Sequence, residues 1–387
     1  MQSDLKKKDK NKSNILAMMF SSRGGIDVTF FVLVIVILAI GLIMMYSASY
    51  AYAYYNNKGD INFYIKKQLV FAAIGLVGMI TMSYFDYHVW RKLALPMLLV
   101  SYILLVVVLF LPPIAHVRRW IDLGFTTLQP SEIAKFAVIV VFAHLISLNF
   151  KKMDKFKYGV LPFALILGSV SVLMLLEPHI SGTILILLIG ATLMFVGGTK
   201  LRYFGAIGAA ALAGLSYAII SGKIGYAMSR IEVFIDPWKD PRGKGWQNIQ
   251  SLYAIGSGGF LGLGLGNSRQ KYLYISEPQT DFVFAVVCEE LGFVGAMIII
   301  VLFALLVWRG FAIALKSPDK LGMLLAIGLT SQVGLQAALN IAVVTKLIPN
   351  TGISLPFFSY GGTSLVMLLM QMGVIMSVSR NSKLNSL

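Results

Sequence analysis

Long apolar stretches alternate with short polar segments along almost the whole chain. Each apolar stretch is close to the roughly 20 residues that a helix needs to cross the hydrocarbon core of a bilayer. Because a backbone crosses that core only as helices or as a closed barrel, the pattern predicts an all-α polytopic membrane protein. The predicted spans number about ten and lie near residues 28–50, 64–83, 93–112, 131–149, 159–176, 180–198, 203–222, 282–308, 321–345 and 359–379.

The polar segments define the domain organisation. Residues 1–27 form a basic tail, residues 28–379 a single membrane domain, and residues 380–387 a second short tail. Residues 223–280, between the seventh and eighth predicted helices, form the longest loop. The apolar run from Val28 to Met45 exceeds the roughly 7–15 residues of a signal-peptide core, so we predict an uncleaved first helix.

Basic residues are distributed unevenly between the two sets of loops. With the N-terminus in the cytoplasm, the segments 84–92, 150–158, 199–202 and 309–320 are rich in Lys and Arg, whereas the short loops on the other side hold far fewer. The long loop 223–280 is basic too, but the positive-inside rule concerns loops near the ends of spans. By the positive-inside rule, both termini are predicted to be cytoplasmic. The loop 223–280 and Asp281, which follows it, are then predicted to lie on the outer side of the membrane.

Composition supports a membrane protein and argues against a nucleic-acid partner. The chain is 57% hydrophobic and 13% charged, with a net charge of +16. In loops between membrane helices, Lys and Arg set the topology and contact anionic lipid headgroups, so we predict membrane lipid as their partner and no nucleic acid. The single cysteine, Cys288, cannot form an internal disulfide and is expected to pack in the core.

Carboxylates mark residues 278–293, PQTDFVFAVVCEELGF, as the candidate centre of chemistry. Asp281 ends a polar loop, and Glu289 and Glu290 lie inside the apolar run that follows. A carboxylate at the middle of a membrane helix costs about 2.5–3.5 kcal/mol, which favours a functional role. For Asp281 two alternatives remain open: a cap of the helix N-terminus, or a group that takes part in chemistry.

Glu289 and Glu290 are a separate case. They lie about 12–14 Å deeper along the helix than Asp281 and point about 100° apart, so they cannot form a contacting pair with it. Either they hydrogen-bond neighbouring elements as structural acids, or one of them faces a functional cavity as a secondary acid.

Other polar residues gather on the predicted outer side. Glu132 and Lys135 open the fourth span on one helix face, as either a structural ion pair or an acid beside an anion-binding cation. Residues 256–266, GSGGFLGLGLG, form either a phosphate-binding nest or a flexible or tightly packed connector. Because Arg and Lys suit phosphate groups, the substrate-binding candidates on this side are Arg118, Arg119, Lys135, Arg230, Gln250, Arg269, Lys271 and Ser359.

Five ordered motifs together resemble the SEDS family, the shape, elongation, division and sporulation proteins RodA, FtsW and SpoVE. The motifs are RRWIDLG, LQPSEIAK, IDPWKDPRGKGWQNIQSLYAIGSGG, GLGLGNSRQKYLYISEPQTDFVFAVVCEELG and NTGISLPFFSYGGTS. The resemblance extends from the first span to the last. The segment GNSRQKYLY…EPQTDF is more similar to FtsW and SpoVE than to RodA.

The resemblance implies a ten-span peptidoglycan glycosyltransferase of the bacterial plasma membrane. Its substrate would be lipid II, and its partners a class B penicillin-binding protein and other cell-wall or division proteins. The family's essential aspartate falls on Asp281, which would be the general base for the acceptor's GlcNAc 4-hydroxyl. An α-linked donor and a β-linked product imply inversion. A divalent cation is compatible with this chemistry, but no ligand cluster in the sequence points to one, and no cofactor is predicted.

The chain departs from the family pattern at two places. His179 stands where the family often has an aspartate, and Ser354 stands where a proline is common. Two other functions remain open. A lipid II flippase would suit ten spans with intramembrane charges, and a non-catalytic scaffold of the cell-wall machinery would tolerate Asp281→Asn.

Overall fold

Apolar α-helices make up most of the structure. The computed structural model describes residues 25–114, 117–124, 126–206, 208, 232–243 and 245–382. Within these ranges the longer helices are α1 (Val28–Asn56), α2 (Phe63–Tyr84), α3 (Val89–Phe110), α4 (Pro130–Asn149), α5 (Leu161–Leu176), α6 (Ile180–Val196), α7 (Trp246–Gly258), α8 (Val283–Leu315), α9 (Lys320–Val344) and α10 (Gly362–Arg380). The predicted all-α class is confirmed.

Short elements complete the described part of the chain. An antiparallel hairpin pairs β1 (Ile121–Asp122) with β2 (Thr127–Leu128), with Ile121 opposite Leu128. Single helical turns lie at Phe150–Lys152, Phe156–Gly159 and Pro237–Lys239.

Nine of the predicted spans coincide with helices of the structure. Within the described ranges, eight helices are long and apolar enough to cross a membrane, and α6 is apolar but shorter. The span predicted at 203–222 lies mostly outside the described residues, so the count of ten stays a prediction. The segment 223–280 is not a plain loop, because α7 lies within it.

Four predicted boundaries are wrong by three residues or more. Helix α1 continues to Asn56, α3 begins at Val89 rather than near residue 93, α8 continues to Leu315, and α10 begins at Gly362 rather than near residue 359. In α8, Arg309, which was predicted to lie in a loop, forms a bidentate ion pair with Asp27 (3.0 and 2.7 Å).

The centre of the bundle is formed by α4, α9 and α10. Helix α9 packs against α4, α6 and α8, and α10 lies along α2. The close approach of α2 and α10 needs Gly75, where a Cβ would come within 2.6 Å of Leu369 Cδ1. Outer helices such as α2, α3 and α5 leave many apolar side chains exposed. Lipid tails are as apolar as these side chains, so this surface is satisfied in a bilayer.

A break in α8 explains the glycine-rich segment. Gly292 has φ +66°, which opens the helix and frees backbone groups on both sides. The carbonyls of Glu289 and Glu290 accept hydrogen bonds from Leu263 and Gly264 N–H (both 3.0 Å), and further bonds join residues 259–260 to 293–294. Of the alternatives for residues 256–266, the structure therefore shows a tightly packed connector. Its glycines allow its backbone to approach the backbone of α8 closely.

Candidate functional site

Several helices begin around one cavity of about 180 Å³. The first turns of α4, α6 and α10 contribute to its wall, together with the hairpin and the segments 277–281 and 352–354. Four predicted site residues, which come from distant parts of the sequence, line this cavity: Asp281, Glu132, Lys135 and Arg119. The fold therefore brings acids and cations from three segments of the chain to a single pocket.

Asp281 is held by its backbone. Asn340 of α9 donates an amide hydrogen bond to the Asp281 carbonyl at 2.8 Å and a second to the Ile353 carbonyl at 2.6 Å. The N-cap of α8 is Phe282 and has no side-chain cap. Of the two alternatives for Asp281, the N-cap position therefore belongs to Phe282, and the Asp281 side chain lines the cavity.

The residues before Asp281 are clamped by the loop that precedes α10. Ser359 Oγ donates to the Thr280 carbonyl at 2.6 Å, and Tyr360 N–H donates to the Gln279 carbonyl at 2.7 Å. Ser359, predicted to bind substrate, is buried and its hydroxyl also accepts from Leu355 N–H. We correct its role to fixing the backbone beside Asp281.

One wall of the cavity carries an ion pair that enters a polar chain. Lys135 is buried and its ammonium lies 2.8 Å from Glu132 Oε1 and 3.4 Å from Gln336 Oε1. The Gln336 side chain is fixed in turn, because its Nε2 donates to the carbonyl and hydroxyl of Ser354 (3.0 and 3.2 Å). The predicted pairing of Glu132 with Lys135 is present, and both residues face the cavity.

A second cationic group approaches the start of α6. The Arg119 guanidinium donates to the backbone carbonyls of Glu177 and Pro178, the two residues before His179. His179 is the N-cap residue of α6, and its ring lines the cavity. Arg119 therefore connects the segment before β1 to the start of α6, where His179 departs from the family pattern.

Burial controls the charge of His179 and Glu177, the two titratable groups beside the Arg119 guanidinium. Burial, reinforced by the positive charges of Arg119 and Lys135, lowers the pKa of His179 to about 3, so the imidazole is neutral near pH 7. Burial raises the pKa of Glu177 to about 8, with Arg119 opposing the shift. The His179 ring can thus form hydrogen bonds as a neutral group beside the cations of Arg119 and Lys135.

Three further predicted substrate ligands lie outside the cavity wall. Arg118 donates to the Leu109 carbonyl at 3.0 Å, Gln250 is buried on α7, and Arg269 is exposed. Arg230 lies outside the described residues. Position in a segment predicted to lie on the outer side was not enough to select the ligands, because a side chain must also point into the pocket.

Lys271, Glu289 and Glu290 form a separate buried network, so Lys271 is corrected from a substrate ligand to a structural ion. Its ammonium lies 2.9 Å from Glu290 Oε1 and also donates to Ser47 Oγ and the Gly266 carbonyl. Glu289 accepts from the backbone N–H groups of residues 269 and 270. Both glutamates are fully buried, and they have the structural role that sequence reasoning left open.

Sequence reasoning missed Gln336 and Asn340. Together with Gln332 they recur every four residues along α9, which places them on one face of an otherwise apolar helix. Such a polar stripe in a membrane span is itself a functional signal.

Among the described residues, no group of three or more His, Cys, Asp or Glu could hold a metal ion. A divalent cation stays a prediction.

The cavity combines a group that can accept a proton with groups that can stabilise a developing anion. A carboxylate can accept a proton from a hydroxyl, and nearby cations can stabilise negative charge that develops on a departing phosphate. Asp281 supplies the first group, while Lys135 and Arg119 supply the second. The cavity is therefore equipped for transfer from a phosphate-bearing donor to an alcohol.

Comparison with known proteins agrees with these features. A family model described as "Cell cycle protein", for FtsW, RodA and SpoVE, matches residues 27–384. Stage V sporulation protein E of Bacillus subtilis (strain 168) is 42% identical over 92% of this chain and 98% of its own length. The probable peptidoglycan glycosyltransferase FtsW of Geobacter sp. (strain M18) is 39% identical over 92% of this chain and 97% of its own length.

Solved structures share the architecture. A chain from a peptidoglycan synthase complex that coordinates polymerization and crosslinking matches with a TM-score of 0.77 and 29% identity, over 93% of this chain and 99% of that chain. The rod shape determining protein RodA of Thermus thermophilus matches with a TM-score of 0.68 and 28% identity, over 92% and 98%. The chain is thus a multi-pass membrane protein that belongs to the FtsW, RodA and SpoVE family.

Proposed function

We propose that this protein is a peptidoglycan glycosyltransferase that polymerises lipid II at the outer face of the bacterial plasma membrane. The observation that carries the proposal is one cavity in which Asp281 lies with Lys135 and Arg119. The relatives named peptidoglycan glycosyltransferase FtsW support the same reaction class.

In the proposed reaction, Asp281 accepts the proton of the acceptor's sugar hydroxyl as that oxygen attacks the anomeric carbon of the donor. The bond from that carbon to the diphosphate breaks, and the leaving diphosphate takes the electron pair. Lys135 and Arg119 lie where they can stabilise this charge. Direct displacement inverts the anomeric carbon and requires no covalent enzyme intermediate.

The decisive experiment compares wild type with Asp281→Asn in polymerisation of labelled lipid II, with a class B penicillin-binding protein present. Loss of a general base lowers a rate by roughly 10²–10⁴-fold, so we expect polymer to fall at least about a hundredfold. Asp60→Asn is the matched control, because Asp60 lies in the loop between α1 and α2 and pairs with exposed Lys66.

Polymer made at the wild-type rate by a folded Asp281→Asn variant contradicts the assignment of the base. Glu132 would then be the next candidate, because it also lines the cavity, whereas Glu289 and Glu290 are enclosed by the connector. No polymer from the wild-type protein in a competent complex would instead favour the flippase or the scaffold.

The partner in this proposal is a class B penicillin-binding protein. The structural neighbour from a complex that couples polymerization to crosslinking supports a transpeptidase partner. Co-purification from detergent extracts checks it, and failure of every class B transpeptidase of the cell to co-purify contradicts it.

The proposed orientation places both termini in the cytoplasm and the cavity outside. The single Cys288 makes this testable, because Cys288→Ala gives a cysteine-free chain. In intact cells, a membrane-impermeant maleimide should label Ser276→Cys, which is exposed near the cavity. It should spare Lys316→Cys, exposed at the opposite end of α8. The reverse pattern would invert the topology.

A further inference from the structure

A row of tyrosines leads out of the cavity. Tyr360 lines the cavity, and its ring meets the ring of Tyr64 edge-on, with centroids 4.9 Å apart and planes at 83°. Tyr64 in turn lies 6.0 Å from Tyr52, with their planes tilted by 48°. All three rings are partly exposed, so the row is a surface rather than a filled core.

The row is fixed to the segment that carries Asp281. Gln68, one turn after Tyr64 on α2, donates to the Ser359 carbonyl and accepts from Gly361 N–H (both 3.3 Å). These two contacts grip the chain on either side of Tyr360. Because Tyr360 N–H also bonds the Gln279 carbonyl, the first ring of the row is tied to the backbone two residues before Asp281.

Charge divides the cavity into two ends. Lys135, which pairs with Glu132, and Arg119 lie on the wall formed by α4 and the segment before β1, where cations exceed acids by one. At the tyrosine end, Glu277 lines the cavity, and its carboxylate interacts electrostatically with the phenols of Tyr52 and Tyr64. A diphosphate fits the cationic end and is repelled at the tyrosine end. An uncharged polyhydroxyl ligand is not repelled there.

We infer that Tyr52, Tyr64 and Tyr360, with Glu277, form a saccharide-binding platform that holds the neutral sugars of the acceptor next to Asp281. The inference rests on the proposed function for the identity of the acceptor. Aromatic faces cover the apolar C–H faces of a pyranose ring, while phenol and carboxylate oxygens accept hydrogen bonds from its hydroxyls.

The alternative role for tyrosines at a membrane interface is contact with lipid headgroups. Tyr54 and Tyr55, at the same end of α1, suit that use: they are 53% and 63% exposed and contact one another edge-on. The row differs from this pair because it is continuous with the cavity and has a carboxylate beside it. The two sets of tyrosines therefore provide a test and its control.

The first test measures binding of a neutral oligosaccharide, triacetylchitotriose, to the full-length protein in nanodiscs by saturation-transfer NMR. We expect sugar signals with wild type, and a loss of affinity of about tenfold in Tyr64→Ala and in Tyr52→Ala, from lost ring contact. Tyr64→Phe keeps the ring and should retain most of the binding. Tyr54→Ala and Tyr55→Ala should bind like wild type.

The second test follows lipid II polymerisation by the same variants with the partner transpeptidase. Tyr64→Ala should raise the KM for acceptor roughly tenfold and leave kcat within about twofold, because ground-state and transition-state binding are lost equally. A structural defect in the Tyr360 segment would instead lower kcat. A structural defect at the end of α1 would also appear in Tyr54→Ala.

The outcomes separate this inference from the proposed function. Sugar binding that is unchanged in Tyr52→Ala and Tyr64→Ala, or that is lost equally in Tyr54→Ala, overturns the platform even if the protein polymerises lipid II. Sugar binding that depends on the row in a protein that makes no polymer supports the platform and removes the glycosyltransferase assignment alone.

Discussion

At the scale of single residues, Gly352 determines the space available to the Asp281 carboxylate. Gly352 has φ +71°, and a Cβ added there would lie 3.2 Å from Asp281 Oδ2. Its carbonyl also accepts from Ser181 Oγ at 3.4 Å, which links the start of α6 to the same point. A side chain at this position would press on the carboxylate and strain the backbone at once.

We expect Gly352→Ala to lower the polymerisation rate by about tenfold or more, because a displaced catalytic group loses its alignment with the acceptor. Gly198→Ala is the matched control: its φ is +95°, but no atom lies within 4 Å of the added Cβ. Both variants should lose some stability, and only Gly352→Ala should lose activity. Equal activity in the two variants would show that Gly352 does not set the carboxylate position.

At the scale of elements, the segment 256–271, which contains the connector 256–266, and the broken helix α8 stabilise one another. This segment supplies backbone donors to Glu289 and Glu290, and Lys271 supplies the charge that Glu290 needs inside the fold. Breaking a buried ion pair by removing one partner costs about 3–5 kcal/mol, since the other charge remains buried. This network therefore acts on stability rather than on substrate binding.

We expect Lys271→Met to lower the thermal unfolding midpoint markedly in detergent. Adding Glu290→Gln to Lys271→Met should recover much of that loss, because no buried charge is then left unpaired. Lys66→Met removes an exposed pair, with 66% and 43% side-chain exposure, and should change the midpoint little. Additive effects of Lys271→Met and Glu290→Gln would contradict a shared buried pair.

At the scale of the whole molecule, a second polar cluster joins the ends of the helices opposite the cavity. His88 Nε2 lies 3.4 Å from Asp319 Oδ2, and Tyr87 donates to Asp319 Oδ1 at 2.7 Å. The bond to Asp319 raises the pKa of His88 to about 9, with Asp86 assisting and burial opposing. The cluster ties the loop after α2 to the start of α9.

The raised pKa of His88 fixes the direction of its pH dependence. The folded value of about 9 exceeds the ordinary value of 6.5, so the stabilisation is complete below about pH 6.5 and is lost as pH rises through 9. We expect the unfolding midpoint of wild type to fall more between pH 7 and 10 than that of His88→Gln. Parallel curves for the two proteins would contradict a charged His88 in the folded state.

Much of the architecture could be predicted because hydropathy acts locally. A membrane helix must satisfy its own backbone hydrogen bonds, so its existence and approximate place follow from the run of apolar residues. The helix ends were less predictable: α1 and α8 extend past the predicted limits, and Arg309 in the added part of α8 pairs with Asp27, a contact between distant residues that hydropathy does not encode.

The sequence by itself determined the class of protein, nine of the spans, the family and the candidate acids and cations, because these depend on composition, period and ordered motifs. Tertiary structure decided which candidates share a pocket. It placed Lys135 and Arg119 beside Asp281 and enclosed Lys271 with Glu290. Cationic side chains of these polar segments are alike in sequence, and only packing shows whether their charge faces the cavity or a buried partner.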